Sequence, residues 1–524
     1  MIGSDIKRPC FSALGSCLKS LPGSAIFWLI FSLAIIDRLH LLTRFGFLFT
    51  DSDQVILWVG GRDYSHGIFR EPCVYGQNYN YMLESLLAAP FLRLGIAPWL
   101  AFPVVTSVLA LAPYLAFAFY YRRRDLAAAC AFAAIPVLLP AEFGMLTTAS
   151  HGLVTGLCLV AFFPVIYSLK RSGLRFLFAG SAAGLAFVLN PNSLPVLMVL
   201  VLAMQLHDAR SWRAWLYPVA GAAPFAALNN LVAIYYAKHT PIHSLNPAML
   251  VFQPEVLVRS LKHLDSHLGW LCPVFWPHGI LVLPLFIAIM VILAAKRRHT
   301  EAVALLASGA LILYSLGLPK IDDGSNWVSY AYSRMFLAVP LLLGIAFSFC
   351  SDLIRKPKDV CFWLLLVSIA LFAVKLSTIG AILKREEAAP LPVVELRRID
   401  DIKRACARID ALCKDKADLM VALPPINCTY ADASFYCLAG EMMFPDYPKT
   451  LIYGFERRSW RVEMEATNVS PNILFIGGSR HGWQLAASPD ITNCGDEKAV
   501  IHLVHNPNAL TLPQLVRKLK PVMR

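Results

Sequence analysis

The chain has 524 residues, 57% hydrophobic and only 15% charged, where an ordinary soluble domain carries roughly 25% charged residues. With a mean hydropathy of +0.58, this excludes a soluble globular protein for most of the length. The net charge of +13 fits cytoplasmic loops and anionic headgroups better than nucleic acid, because Lys and Arg collect on the cytoplasmic side of membrane helices.

In chain order, apolar runs of roughly 17–23 residues recur, the length that carries a helix across a hydrocarbon core of about 30 Å. They lack the two-residue alternation of barrel strands, so the predicted fold is an α-helical polytopic membrane protein. Eleven spans are predicted at 24–42, 98–120, 126–142, 152–168, 175–190, 193–206, 215–234, 278–295, 300–318, 335–350 and 359–380. The first run is too long for a signal peptide and lacks a small-residue cleavage site, which makes it an expected anchor. Asn190-Pro191-Asn192 is turn chemistry and splits what would otherwise be one overlong span. Basic clusters, such as Arg122-Arg123-Arg124, Lys296-Arg297-Arg298 and Arg355-Lys356, follow the even-numbered spans. With Lys7, Arg8 and Lys19 they place the N-terminus and these loops in the cytoplasm. The chain then divides into a membrane part, 1–384, with long outer loops at 43–98, 237–277 and 319–334, and an extracytoplasmic tail, 385–524. In a Gram-negative cell that tail is periplasmic and the spans sit in the inner membrane.

The tail opens with a helical pattern from Val394 to Cys413 and continues with short apolar runs at 417–423, 450–454, 472–476 and 499–504. This alternation predicts a small α/β domain. Cys406 and Cys413 share one helix face about 10.5 Å apart along its axis, too far to pair with each other. Each can instead bridge to Cys428 or Cys437, the alternative being buried free thiols.

The first outer loop is the most informative stretch. Asp51-Ser52-Asp53 follows the first span directly and precedes a helix-like segment, Gln54 to Tyr64. A second amphipathic helix carries Leu83, Leu86, Leu87, Phe91 and Leu94 at helical spacing, as in a helix lying at a membrane interface. Between them stands Tyr75-Gly76-Gln77-x-Tyr79-x-x-x-Leu83-Glu84. An Asp before a helix also serves as an N-cap, so Asp51 and Asp53 each have a structural reading as well as a chemical one.

An acidic pair after the first span, followed by this motif, resembles the GT-C superfamily of lipid-dependent glycosyltransferases. The likeness is to the bacterial branch related to protein mannosyltransferases and the aminoarabinose transferase of lipid A. Gly221, Pro224 and Asn229-Asn230 in the seventh span, and Arg334 before a span, add weaker similarity. The resemblance implies a GT-C-like fold and inverting transfer of a hexosyl or pentosyl group from a polyprenyl-phosphate donor. The acceptor would be an envelope glycan, lipid or protein on the outer face. It also implies Asp53 as the catalytic base, with Asp51 as the alternative. In many such proteins the signature is Asp-Glu or Asp-Asp, whereas here Gln54 follows Asp53.

Such chemistry needs a base for the acceptor hydroxyl and positive charge for the departing phosphate. Tyr75, Gln77, Tyr79, Glu84, Glu142, Lys262 and Arg334 are the candidate substrate-binding residues on that face. Asp322-Asp323 offers hard oxygen ligands for a divalent cation, or is simply a solvated acidic loop. The competing readings are a non-catalytic flippase or carrier, or a polymerase or ligase, for lipid-linked saccharides. A carrier would place ionisable residues inside several spans, and here they concentrate in the outer loops.

Overall fold

Apolar helices fill the chain as far as Glu387. The structure is a computed structural model and describes residues 21–208, 211–239, 244–389, 396–413, 417–423, 434–454, 456–477, 483–484, 491–493, 500–519 and 522–523. Among the described residues, five helices have the length and composition to cross a membrane: Gly23–Gly46, Pro98–Tyr121, Ser172–Leu189, Trp212–Lys238 and Pro357–Glu387. Shorter apolar helices stand at Leu126–Leu138, Leu157–Ser168, Gly279–Ala295, His299–Ser315 and Tyr332–Ser348, with Leu194–Asp208 between them. A helical membrane-protein architecture is therefore present, and the helices fall where the apolar runs do.

The elements used below are α1 (Gly23–Leu41), α2 (Ser52–Ser65), α3 (Leu83–Arg93), α4 (Pro98–Tyr121), α5 (Ser172–Leu189), α6 (Leu194–Asp208), α7 (Leu216–Lys238), α8 (His299–Ser315), α9 (Pro357–Glu387) and α10 (Ile399–Cys413). The break between α5 and α6 falls at Asn190, as the turn residues predict. Its side-chain oxygen accepts the Asn192 N–H at 2.9 Å, and its amide donates to Gly152 O at 2.9 Å.

Helices α5 and α7 approach through small residues. A Cβ at Gly180 would lie 2.1 Å from Pro218 O, and one at Gly221 would lie 2.0 Å from Leu177 O. Glycines at such crossings let backbones touch, which supplies packing where lipid removes the hydrophobic drive. The expectation that span interiors carry few charges needs correction. Lys375 of α9 is buried and pairs with Asp37 of α1 at 2.9 Å, also donating to Pro136 O. The neighbouring Arg38 donates to the Thr147 and Thr148 hydroxyls at 3.0 and 2.8 Å. Composition conceals this pair, since its members lie far apart in sequence and neutralise each other where they meet.

The amphipathic α3 turns Glu84, Ser85, Ala88 and Ala89 inward and leaves Leu86, Leu87 and Phe91 exposed, with Leu94 exposed just beyond its end. That apolar outer face suits an interface helix. β1 (Phe49–Thr50) pairs antiparallel with β2 (Arg397–Arg398), tying the first loop to the start of the C-terminal region.

The other C-terminal strands are β3 (Leu419–Leu423), β4 (Lys449–Ile452), β5 (Asn472–Gly477), β6 (Trp483–Gln484), β7 (Ile491–Asn493), β8 (Val500–His505) and β9 (Val522–Met523). Five of them form one sheet in the order β4-β3-β5-β8-β7, while β6 pairs with β9. Within the larger sheet β3 is parallel to β4 and β5, and β8 is antiparallel to β5 and β7. One face of this sheet joins a core that also holds α2: Val55, Ile56 and Trp58 share it with Ile402, Cys406, Leu438 and Ile452. Cys406 and Cys437 are buried free thiols donating to Phe435 O and Leu451 O, so a bridge between these two is not made. Cys428 and the Cys413 side chain lie outside the described residues.

Gly221→Val forces a side chain into the Leu177 carbonyl, and the expected loss is on the order of 1–3 kcal/mol. A thermal melt in detergent checks it, with Ala222→Gly as the control at the adjacent position.

Candidate active site

The site begins with a helix start. Asp51 is the N-cap of α2: its Oδ1 accepts the N–H groups of Asp53 and Gln54, both at 3.1 Å. Its Oδ2 accepts the Gln54 amide at 2.7 Å and the His151 Nε2–H at 2.9 Å. The carboxylate is only 1% exposed. Burial works against its charge, but His151 and the Gln54 hydrogen bonds outweigh that and hold the carboxyl below its ordinary range. Burial likewise pulls His151 down, and Asp51 at hydrogen-bond distance overrides it, raising the imidazole to about 9.

Asp53 sits two residues on, about 200° around the helix. Its side chain therefore leaves the buried pair and remains 42% exposed, with Arg457 Nη1 at 3.3 Å. Asp53 lines a cavity of about 1120 Å³, larger than the roughly 300–1,000 Å³ of ordinary small-molecule pockets. Loops supply its polar lining: Gln77, Asn78, Tyr79, Asn80 and His151 on one side, Lys320, Tyr330 and Arg334 on another, and Arg457 from the C-terminal region. The helices α5, α6, α7 and α8 supply Phe187, Leu189, Leu194, Val232, Leu311 and Tyr314. One cavity thus joins a charged, hydrogen-bonding side to an aliphatic and aromatic side.

Of the residues singled out by sequence, the structure brings Asp53, Gln77, Tyr79 and Arg334 together around this cavity. Arg334 is buried, stacks 3.9 Å over the Tyr330 ring, and donates to the carbonyls of Tyr330, Ala331 and Asp323. Burial raises the Tyr79 phenol, with Arg457 pulling it back in part, so Tyr79 is a neutral donor there.

The other candidates stand elsewhere, each for a physical reason. Asp51 is consumed by the helix cap and His151. Tyr75 donates to Asp63 at 2.8 Å and sets its ring edge-on to Trp460 at 4.8 Å, so it docks the C-terminal region. Glu84 accepts the Gly152 N–H at 2.8 Å and the Thr106 hydroxyl at 3.3 Å. Burial pushes its carboxyl up to about 7, and its task is to anchor the segment that carries His151. Glu142 faces Arg385 at 3.6 Å and does not line the cavity. Lys262 is exposed at the end of the helix Pro254–Lys262 and is also outside the lining.

Asp322 and Asp323 are committed to cations in opposite directions. Asp322 meets Arg259 at 2.5 Å and His267 at 3.4 Å, and Asp323 meets Lys320 at 3.0 Å and the Tyr330 hydroxyl at 2.7 Å. Among the described residues no three His, Cys, Asp or Glu side chains are grouped to hold a metal ion, and this acidic pair does not fit the oxygen cage of a divalent cation. Sequence reasoning missed Arg457, Lys320 and Tyr330 as site residues. Arg457 lies 404 positions from Asp53, and no local spacing signals such a contact.

No family model matches the chain, and no curated protein matches it. Among solved structures it is similar to ArnT from Cupriavidus metallidurans in the apo state, with a TM-score of 0.50 and 10% identity, over 91% of this chain and 97% of that one. The structure of the same protein bound to undecaprenyl phosphate has a TM-score of 0.48 at 10% identity over the same shares. At this identity the likeness is one of fold alone.

Two substitutions separate the carboxylates. Asp51→Asn breaks a buried ion pair and is expected to cost on the order of 3 kcal/mol. Asp53→Asn should cost clearly less than Asp51→Asn, because Asp53 is 42% exposed and its contact with Arg457 at 3.3 Å is partly solvated. Equal losses in a thermal melt would refute the division. The pH dependence follows from His151. Its folded value of about 9 exceeds its ordinary 6.5, so its stabilisation is full below pH 6.5 and is lost as pH rises through 9. Melting temperatures recorded from pH 6 to 10 should show this decline, and His151→Gln should flatten it.

Proposed function

We propose that the chain is a membrane glycosyltransferase that moves a hexosyl or pentosyl group from a polyprenyl-phosphate donor to an envelope glycan, lipid or protein. The cavity is the observation that carries this reading. An amphiphile with a sugar, a phosphate and an isoprenoid tail needs carboxylate, cations, hydrogen bonders and an apolar wall in one continuous space, and Asp53, Arg457, Arg334, Gln77 and the faces of α5 to α8 supply these. The GT-C-like fold agrees with it.

In the reaction the acceptor oxygen attacks the anomeric carbon as its proton passes to Asp53. The carbon–oxygen bond to phosphate breaks, and the phosphate departs with the electron pair on its lipid carrier. Direct displacement inverts the anomeric centre. Arg334 and Lys320 favour the charge that grows on the leaving phosphate, and Gln77, Asn78 and Asn80 are placed for sugar hydroxyls. Charge rules place the N-terminus in the cytoplasm of a bacterial inner membrane, with eleven crossings and the cavity and residues 385–524 on the outer side. A carrier would move its cargo past ionisable groups within the spans; the Asp37–Lys375 pair is closed on itself and does not line this cavity.

Mass spectrometry of envelope glycans should compare cells holding the native chain with cells holding Asp53→Asn at matched protein levels. The expected result is loss of one sugar mass increment and accumulation of its lipid-linked donor. An unchanged profile refutes the assignment of Asp53 as base.

A further inference from the structure

We propose that Arg457, delivered by the C-terminal region, is the residue that grips the donor's phosphate, and that Gly76 is present to let it in. The inference rests on the reading of the cavity as a polyprenyl-phosphate site.

Among the described residues, Lys320, Arg334, Arg457 and the Asp51-paired His151 bring positive charge to that cavity, and they are not equivalent. Arg334 spends both terminal nitrogens on the carbonyls of Asp323, Tyr330 and Ala331. Lys320 is paired with Asp323 at 3.0 Å. These two hold their own loop together. Arg457 faces Asp53 at 3.3 Å, beyond the roughly 2.7–2.9 Å of a strong charge-assisted hydrogen bond, on the side where Asp53 is 42% exposed to the cavity.

The segment bearing Arg457 is fixed from both flanks. Arg458 is buried and bound to Glu456 at 2.7 Å, to Glu441 at 3.2 Å and to Thr450 O at 3.0 Å. Trp460 is held by the edge of Tyr75 and lies 4.1 Å beneath the Arg70 guanidinium. Gly76 then explains the approach. A Cβ there would lie 2.7 Å from Arg457 O and 2.9 Å from Arg457 Cβ, and its φ of +76° is strained for any side chain. The Tyr75-Gly76-Gln77 run is therefore the seat on which the C-terminal region sets a cation into the cavity.

This arrangement also resolves a charge conflict. A general-base carboxylate and a phosphate in one cavity repel each other, and an arginine between them neutralises both. As the phosphate arrives, Arg457 exchanges its contact with Asp53 for the more highly charged ligand, and Asp53 is released toward the acceptor hydroxyl.

The test uses the full chain in nanodiscs with undecaprenyl monophosphate as the binding probe. Arg457→Gln should weaken binding by about tenfold or more, the size of one lost charge-assisted hydrogen bond. Arg457→Lys should retain part of the affinity. Asp53→Asn, which removes the competing carboxylate, should bind at least as tightly as native. A merely structural role would not produce these opposite signs. Native affinity in Arg457→Gln, or equal weakening in Asp53→Asn, overturns the assignment. Should Arg457→Gln fail to fold, the Arg457→Lys and Asp53→Asn results decide by the same signs. If the native chain does not bind the lipid, the donor reading falls with the proposal. If it binds and only Arg457→Gln is indifferent, the role of Arg457 alone is wrong. Inorganic phosphate should displace the lipid poorly, and efficient displacement would overturn the lipid assignment.

Discussion

The buried contact between Asp51 and His151 is the constraint on which the cavity depends. It joins the first turn of α2 to the segment before α5, between elements separated by 100 positions. Four hydrogen bonds converge on one carboxylate. Because α2 starts at that point, its start also sets the direction of Asp53, one half-turn away. Glu84 reinforces the same junction from behind, holding Gly152 and, through Thr106, the Ser150 hydroxyl at 2.6 Å. The aim of the exposed carboxylate is thus fixed by the buried Asp51 and Glu84, which do not line the cavity, together with His151, which does.

A second constraint lies on the other side of α2. Its apolar residues are buried between α3 and α4 on one side and the C-terminal helical turns Phe435–Met443 on the other. Arg62 near its end donates to the Glu441 carbonyl at 2.8 Å, and Glu441 also meets Arg458 and Arg461. The segment 43–98 and the C-terminal region therefore share one core and one ionic network. Removing the C-terminal region would uncover Val55, Ile56 and Trp58 and release the helix that carries Asp53. Loss of activity in such a truncation follows from α2 alone.

Much of this fold was legible in the sequence, since apolar runs of spanning length report membrane helices by length alone. The turn at Asn190, the helix after Asp51 and the main strands of the sheet, β3, β4, β5 and β8, fall where local chemistry puts them. Most of the legible part of the site was also local: Asp53, Gln77 and Tyr79 lie on one short stretch, and only Arg334, standing before a span, was read from afar. What sequence could not supply is contact across the chain. Arg457, Lys320 and Tyr330 reach the cavity from distant segments, and the Asp37–Lys375 pair joins α1 to α9. Residue type also misled in one direction. Tyr75, Glu84 and Asp51 belong to the motif and are buried, so they fix the frame while their neighbours face the cavity.

Gln54 shows how closely the frame and the chemistry are linked. The resemblance drawn from the sequence leads one to expect a second acid beside Asp53, and a Gln there first reads as a lost catalytic group. In this chain the Gln54 amide donates to Asp51 at 2.7 Å while its carbonyl accepts the Ser150 N–H at 3.3 Å. A Glu in the same rotamer would set a second carboxylate against a buried one already committed to a cap, and two like charges at that distance are not both ionised. With Asp51 as the buried anchor, position 54 needs a side chain that donates on one side and accepts on the other. A carboxamide does both. The departure from the acidic pair is therefore a consequence of which aspartate was buried, and it leaves Asp53 as the carboxylate of this segment that faces the cavity.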